Sequence, residues 1–85
     1  MTRFTLPPDH PALPGHFPGR PIVPGVLLLD AVIQAAGGAT HIRRAKFLAP
    51  VAPGEEVEIL LEPRPGGGRA FTCRRGKTIV LTGEI

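Results

Sequence analysis

The chain has 85 residues, 42% of them hydrophobic and 20% charged, with ten Lys/Arg against seven Asp/Glu and a net charge of +3. This is a folding composition with room for at most one domain, residues 1–85, so a disordered chain and a multidomain enzyme are excluded. One cysteine, Cys73, excludes an intrachain disulfide framework and a multi-Cys zinc site.

A chain this short buries only about 60–65% of the surface its unfolded form exposes, so self-association is expected. The longest apolar run, Val26 to Leu29, is stopped by Asp30. It falls far short of the ~20 residues of a membrane span. Met1-Thr2-Arg3-Phe4 has no apolar signal-peptide core, and the expected location is the cytoplasm. A pI near 10 invites a nucleic-acid reading. Aromatic residues, however, are 5% and all Phe, which leaves no Tyr or Trp to stack on bases, so no nucleic acid is expected. The basic doublets Arg43-Arg44 and Arg74-Arg75 suit an acidic partner instead.

In chain order, Arg3–Leu6 reads as a short strand. Seven of the eleven prolines then fall between Pro7 and Pro24. No helix survives that density, and a central strand would lose too many donors. Residues before proline are pushed to extended geometry, so this stretch reads as a stiff loop. Such a loop can hold a side chain at small entropic cost. Within it lies Pro14-Gly15-His16-Phe17-Pro18-Gly19.

From Val26 to Ala36 nine of eleven residues are apolar, with Gly25 before and Gly37-Gly38 after. This predicts a helix over about 26–37, apolar nearly all round and therefore buried nearly all round. Asp30 and Gln34 are its polar residues, spaced i, i+4 on one face.

The second half alternates. Ala45 and Phe47 alternate with Arg44 and Lys46. Val57, Ile59 and Leu61 alternate with glutamates. Phe71 and Cys73 alternate with Thr72 and Arg74, and Ile79 and Leu81 with Thr78 and Thr82. Pro53-Gly54, Gly66-Gly67-Gly68 and Arg75-Gly76 separate these segments. The pattern predicts an antiparallel meander with one apolar face, and with the helix an α+β fold.

Three features carry chemistry. Asp30 sits amid Leu27, Leu28, Leu29, Ala31, Val32 and Ile33. Desolvation there would favour the protonated form, a candidate general acid. The alternative places Asp30 on a thin exposed edge of the helix. His16, flanked by glycines in the stiff loop, is a candidate base, against the alternative of a surface histidine, which is how His10 and His41 are read. Gly25 opens the helix, where a bare backbone N–H and the helix dipole suit a developing negative charge. Ordinary helix initiation by glycine is the other reading. Three histidines without close i, i+2 or i, i+4 spacing argue against a metal.

The stretch His16-Phe17-Pro18-Gly19-Arg20-Pro21-Ile22-Val23-Pro24-Gly25-Val26-Leu27, continued through Asp30 and Gln34, resembles the signature of the beta-hydroxyacyl-[acyl-carrier-protein] dehydratases. Ala45 to Glu55 resembles that family's strand and turn after the helix. The resemblance implies a hotdog fold, one central helix wrapped by an antiparallel sheet of four to five strands. It implies dehydration of a 3-hydroxyacyl thioester to the trans-2-enoyl thioester in fatty acid or related polyene or polyketide biosynthesis. His16 would take the C2 proton and Asp30 would protonate the leaving hydroxyl. The Gly25 N–H would polarise the thioester carbonyl, Gln34 would bond the acid, and the Ile22 carbonyl would orient the imidazole. Phe17, Pro24, Val26 and Leu27 would line an acyl tunnel. No metal or redox cofactor is implied. The substrate would arrive on phosphopantetheine, from an acyl carrier protein or coenzyme A, with Arg43, Arg44, Arg74 and Arg75 as docking candidates.

The resemblance further implies a homodimer or higher oligomer, with His16 and Asp30 meeting from different subunits. Family members carry a longer lead-in with a first long strand, whereas fifteen residues precede His16. The sheet is thus expected to lack a strand or to end in a short edge strand. That feature supports the alternative of a non-catalytic hotdog subunit that binds acyl thioesters or pairs with a catalytic partner. A thioesterase on the same fold is the third reading.

Overall fold

A computed structural model describes residues 2–6, 23–38 and 41–85. Its elements are β1 (Thr2–Phe4), α1 (Gly25–Ala35), β2 (Arg44–Phe47), β3 (Val57–Pro63), β4 (Arg69–Arg75) and β5 (Thr78–Glu84). The strands form one five-stranded sheet in the order β1-β3-β4-β5-β2, antiparallel at every pairing. The expected α+β architecture is therefore met. The β3–β4–β5 meander fills the centre, and the strands flanking the helix in sequence take the two edges.

The meander's turns follow from its glycines. Gly66, Gly67 and Gly68 all have positive φ, a run that side-chain-bearing residues would strain to adopt. The β4–β5 turn has two residues, Gly76-Lys77, with Gly76 at φ 59°, as the twist-matched hairpin turns require.

Alternation then sorts the faces. Val57 and Ile59 of β3, Phe71 and Cys73 of β4, and Leu81 of β5 are buried with Leu28 and Val32 of the helix in one cluster. Each such side chain contributes roughly 1.5–3 kcal/mol on full burial. The other face carries ion pairs set by register. Glu58 lies opposite Arg74 at 3.2 Å, and Arg44 opposite Glu84 at 2.6 Å.

The alternation expected for β5 fails in its first half. Cys73 pairs with Leu81 but Arg74 pairs with Ile79, so Val80 is an extra residue on β5. This bulge reverses the phase: Val80 is buried beside Leu81, and Ile79 is 43% exposed. The Val80 carbonyl accepts from the N–H groups of Leu48 (2.8 Å) and Ala49 (3.4 Å), which draws the chain after β2 onto the bulge.

The first strand also lies earlier than Arg3–Leu6. Only Thr2–Phe4 pair with β3. Leu6 turns into the core, its carbonyl accepting from the Gly54 N–H at 2.8 Å. The sheet does end in a short edge strand.

Candidate active site

Helix α1 organises the site. It starts at Gly25 and stops at Ala35, close to the expected span. Its end is fixed by Gly37 and Gly38, both with positive φ. Gly37 N–H donates to the Gln34 carbonyl at 3.1 Å and Gly38 N–H to the Ile33 carbonyl at 2.9 Å. Arg69 of β4 adds a bond from Nη2 to the Ala36 carbonyl at 2.9 Å, a cation at the negative end of the helix dipole.

The helix is not buried all round within one chain, which corrects the expectation from its composition. Leu28 and Val32 face the sheet, while Val26, Asp30 and Gln34 form an exposed i, i+4 stripe on the opposite side. A single layer of sheet covers one face of a helix and leaves the other open. Of the two readings of Asp30, the exposed-edge position is the one found.

Asp30 and Gln34 open into a cleft of about 510 Å³ between the helix and β1. Its described lining includes Thr2, Arg3, Phe4, Leu27 and Ile59. The acid and its expected hydrogen-bond partner thus share one cleft, and Leu27 belongs to it as well. Asp30 makes no hydrogen bond or ion pair with a described residue.

Gly25 lies in a different cleft, of about 660 Å³, at the helix N-terminus. Pro24 and Val26 line it, together with Phe47, Leu48 and Val51, and no described lining side chain is polar. The entry of the helix is pinned by Val23, whose N–H donates to the Val51 carbonyl at 2.8 Å. Pro24 at the N-cap supplies no side-chain cap. No described backbone carbonyl accepts from the N–H groups of Gly25 and Val26, and Leu27 N–H turns back to the Pro24 carbonyl at 3.0 Å. Two donors and the positive end of the helix dipole therefore sit in an apolar cleft.

Asp30 lies five helical steps after Gly25, about 140° of rotation and ~7.5 Å of rise. One chain therefore presents them to different clefts. The predicted tunnel set divides in the same way, Pro24 and Val26 with Gly25 and Leu27 with Asp30. His16, Phe17 and Ile22 lie outside the described residues. Sequence reasoning missed Phe47. The alternating pattern gives it only as one member of a strand, yet its ring lies against Gly25: a Cβ placed there would stand 2.8 Å from the Phe47 Cζ.

The docking candidates are also redistributed. Arg44 pairs with Glu84, Arg74 with Glu58, and Arg75 with Glu55 and the Pro50 carbonyl. Arg43 forms no ion pair with a described residue and lines a small pocket with His41, Gly68, Arg69 and Ile85. Among the described residues, no helix is long and apolar enough to cross a membrane.

The family model of the ApeI-like dehydratases, described as ApeI dehydratase, matches residues 1–84. The chain belongs to this family. Among its relatives, a 3-hydroxyacyl-[acyl-carrier-protein] dehydratase FabZ of Bartonella quintana is 37% identical over 83 residues, covering 76% of this chain and 53% of the relative. The FabZ of Haemophilus influenzae is 41% identical over 81 residues, covering 75% and 55%. The FabZ of Chlamydia trachomatis serovar L2 is 36% identical over 97 aligned positions, covering 91% and 63%. The chain thus spans between about half and under two thirds of the length of these relatives. A solved structure, the dehydratase heterocomplex ApeI:P from Xenorhabdus doucetiae, superposes with a TM-score of 0.80 at 24% identity, covering 98% of this chain and 80% of that one. One helix on an open five-stranded antiparallel sheet is the hotdog fold of that neighbour.

For this ApeI-like chain, then, fold and family agree with the motif. The helix separates the motif's described residues into an acid-bearing cleft and a donor-bearing cleft.

Proposed function

We propose that this chain dehydrates 3-hydroxyacyl thioesters at a site shared between two chains. The observation that carries the reading is the division of Gly25 from Asp30 and Gln34 by helix α1. A site holding both a carbonyl-polarising N–H and an acid needs one cleft from each of two chains.

In the proposed reaction the thioester oxygen accepts from the Gly25 N–H of one chain, which stabilises negative charge as C2 loses its proton. His16 of that chain takes this proton. The C3–O bond breaks as the Asp30 carboxylic acid of the other chain gives its proton to the departing hydroxyl. The electron pair left at C2 forms the C2–C3 double bond, and the products are water and the trans-2-enoyl thioester. Covering the exposed Asp30 stripe with a second chain would screen the site from bulk water. The chemistry needs only acid, base and fixed dipoles, so neither metal nor redox cofactor takes part. The acyl group would be carried on phosphopantetheine, from an acyl carrier protein or coenzyme A.

Mixing subunits tests this. His16→Ala and Asp30→Asn chains, each inactive alone, are allowed to exchange, and water loss from a 3-hydroxyacyl-carrier protein is followed by mass. Random exchange makes half the dimers mixed, each with one intact site, so activity should return to about a quarter of wild type. No rescue in dimers verified as mixed would overturn the shared site. Release of free thiol without water loss would point to hydrolysis instead.

A second reading makes the chain a non-catalytic subunit of a mixed assembly. The Xenorhabdus neighbour is a heterocomplex, which favours it. On this reading the chain alone leaves the substrate unchanged, and water loss appears only with a different dehydratase subunit present.

A further inference from the structure

The Gly25 cleft contains one large aromatic side chain among its described lining residues, and that side chain lies where a Gly25 side chain would be. Phe47 is the last residue of β2, an edge strand, and is 49% exposed. Its Cζ, Cε1 and Cε2 atoms lie 2.8, 3.0 and 3.5 Å from where a Cβ on Gly25 would be. Gly25 is helical, so its need for glycine is not one of backbone conformation. It is the ring of Phe47 that leaves no room for a side chain.

The two clefts also differ in what they can hold. The Asp30 cleft carries Thr2, Arg3, Asp30 and Gln34. The Gly25 cleft has no polar side chain among its described lining. A hydrocarbon chain loses no hydrogen bond there and gains burial worth about 0.8 kcal/mol per methylene. With the thioester carbonyl on the Gly25 N–H, an acyl chain that runs along this apolar lining meets the Phe47 ring.

We propose that Phe47 is the residue that sets the acyl-chain length accepted in the Gly25 cleft. The proposal rests on the reading of that cleft as the thioester site. The ring is held on its inner side by the helix, through the missing Cβ of Gly25, and is open on its outer side. It therefore works as a wall whose position depends on residue 25. Neighbouring Leu48 and Ala49 are fixed by their bonds to the Val80 carbonyl, so the backbone beside Phe47 stays in place when the ring is changed.

The test measures binding, so that it does not depend on turnover. Butyryl-, octanoyl- and dodecanoyl-coenzyme A are titrated by calorimetry into wild type, Phe47→Ala and Phe47→Trp. Phe47→Ala should move the ratio of affinities toward dodecanoyl by about tenfold, and Phe47→Trp should move it toward butyryl, since one or two methylenes in an apolar pocket are worth that much. Gly25→Ala, whose Cβ would displace the ring, should change the length preference, and adding Phe47→Ala to it should remove that change. A length preference unchanged in Phe47→Ala and Phe47→Trp would overturn the proposal, as would a wild-type protein that binds none of the three thioesters. The expected shift in a protein that fails to dehydrate would uphold Phe47 and count against the reaction alone. Should Phe47→Ala not fold, Phe47→Trp and Gly25→Ala still decide the outcome.

Discussion

Along the inner face of α1, Leu28 and Val32 are 4% and 0% exposed, packed on the sheet. Along the outer face, Val26 is 69% exposed and Asp30 and Gln34 stand open to solvent. Both faces come from the same run of apolar sequence, eleven residues long. The inner face has found its cover within the chain, while the outer face has none among the described residues. Val26 is an apolar residue of the outer face that the chain's own sheet leaves uncovered. On the proposed reading a second chain covers this outer side, where Asp30 and Gln34 lie. Substitutions on the two faces should differ in kind, inner ones costing stability and outer ones costing activity.

The largest separation is expected at Asp30. Asp30→Asn keeps the shape and exposure of the side chain and should leave the melting temperature unchanged. Dehydration should fall at least about 100-fold, the usual cost of losing a general acid. A melting temperature that falls in step with activity would break the comparison by making Asp30 a structural residue.

The sheet side gives the next effect, through pH. Burial pushes the Cys73 thiol up to about 11 from a starting value of 9.0. The unfolded chain releases this proton first. Above about pH 9 the native state therefore holds more protons than the unfolded state, and stability falls as pH rises, levelling off above about pH 11. The loss is on the order of 2–3 kcal/mol. Denaturant titrations of wild type and Cys73→Ala across that range should show the slope in wild type only. Iodoacetamide should label Cys73 only after unfolding.

Val32→Ala should destabilise the fold by about 2 kcal/mol through the cavity it leaves under the helix. Turnover per folded molecule should be unchanged. Arg69→Ala removes the bond to the Ala36 carbonyl at the helix end and should cost about 1 kcal/mol, read as a lower melting temperature. The smallest effect on the isolated chain is expected for Asp30→Leu, within about 0.5 kcal/mol, because the position is exposed. The same change makes the outer stripe more apolar, joining Val26. Sedimentation should therefore show tighter self-association without activity, and unchanged self-association would argue that this stripe is not the covered face.

Much of this was legible in the chain itself. Period-2 alternation placed β3 and β4 and their core residues, because a pleated strand sends neighbours to opposite faces whatever surrounds it. Glycines marked the turns at 66–68 and 76 because no other residue takes those φ values cheaply. The run from Val26, bracketed by Gly25 and Gly37-Gly38, delimited the helix within two residues at each end. The ordered motif from His16 to Leu27 led to the family. What the tertiary structure decided was every matter of which face meets which. Ile79 lost its core position to Val80 because one extra residue in β5 reverses the phase, and a bulge depends on the register with β4. Arg44 and Arg74 became ion-pair partners through glutamates brought opposite by sheet register, and Arg75 through Glu55 ahead of β3. Phe47 came to lie on Gly25, 22 positions away in the chain, because β2 is held against β5 beside the helix N-terminus. The separation of Gly25 from Asp30 follows from helical geometry alone. That it yields two clefts of different chemistry depends on where the sheet ends, on β1 at one side and β2 at the other.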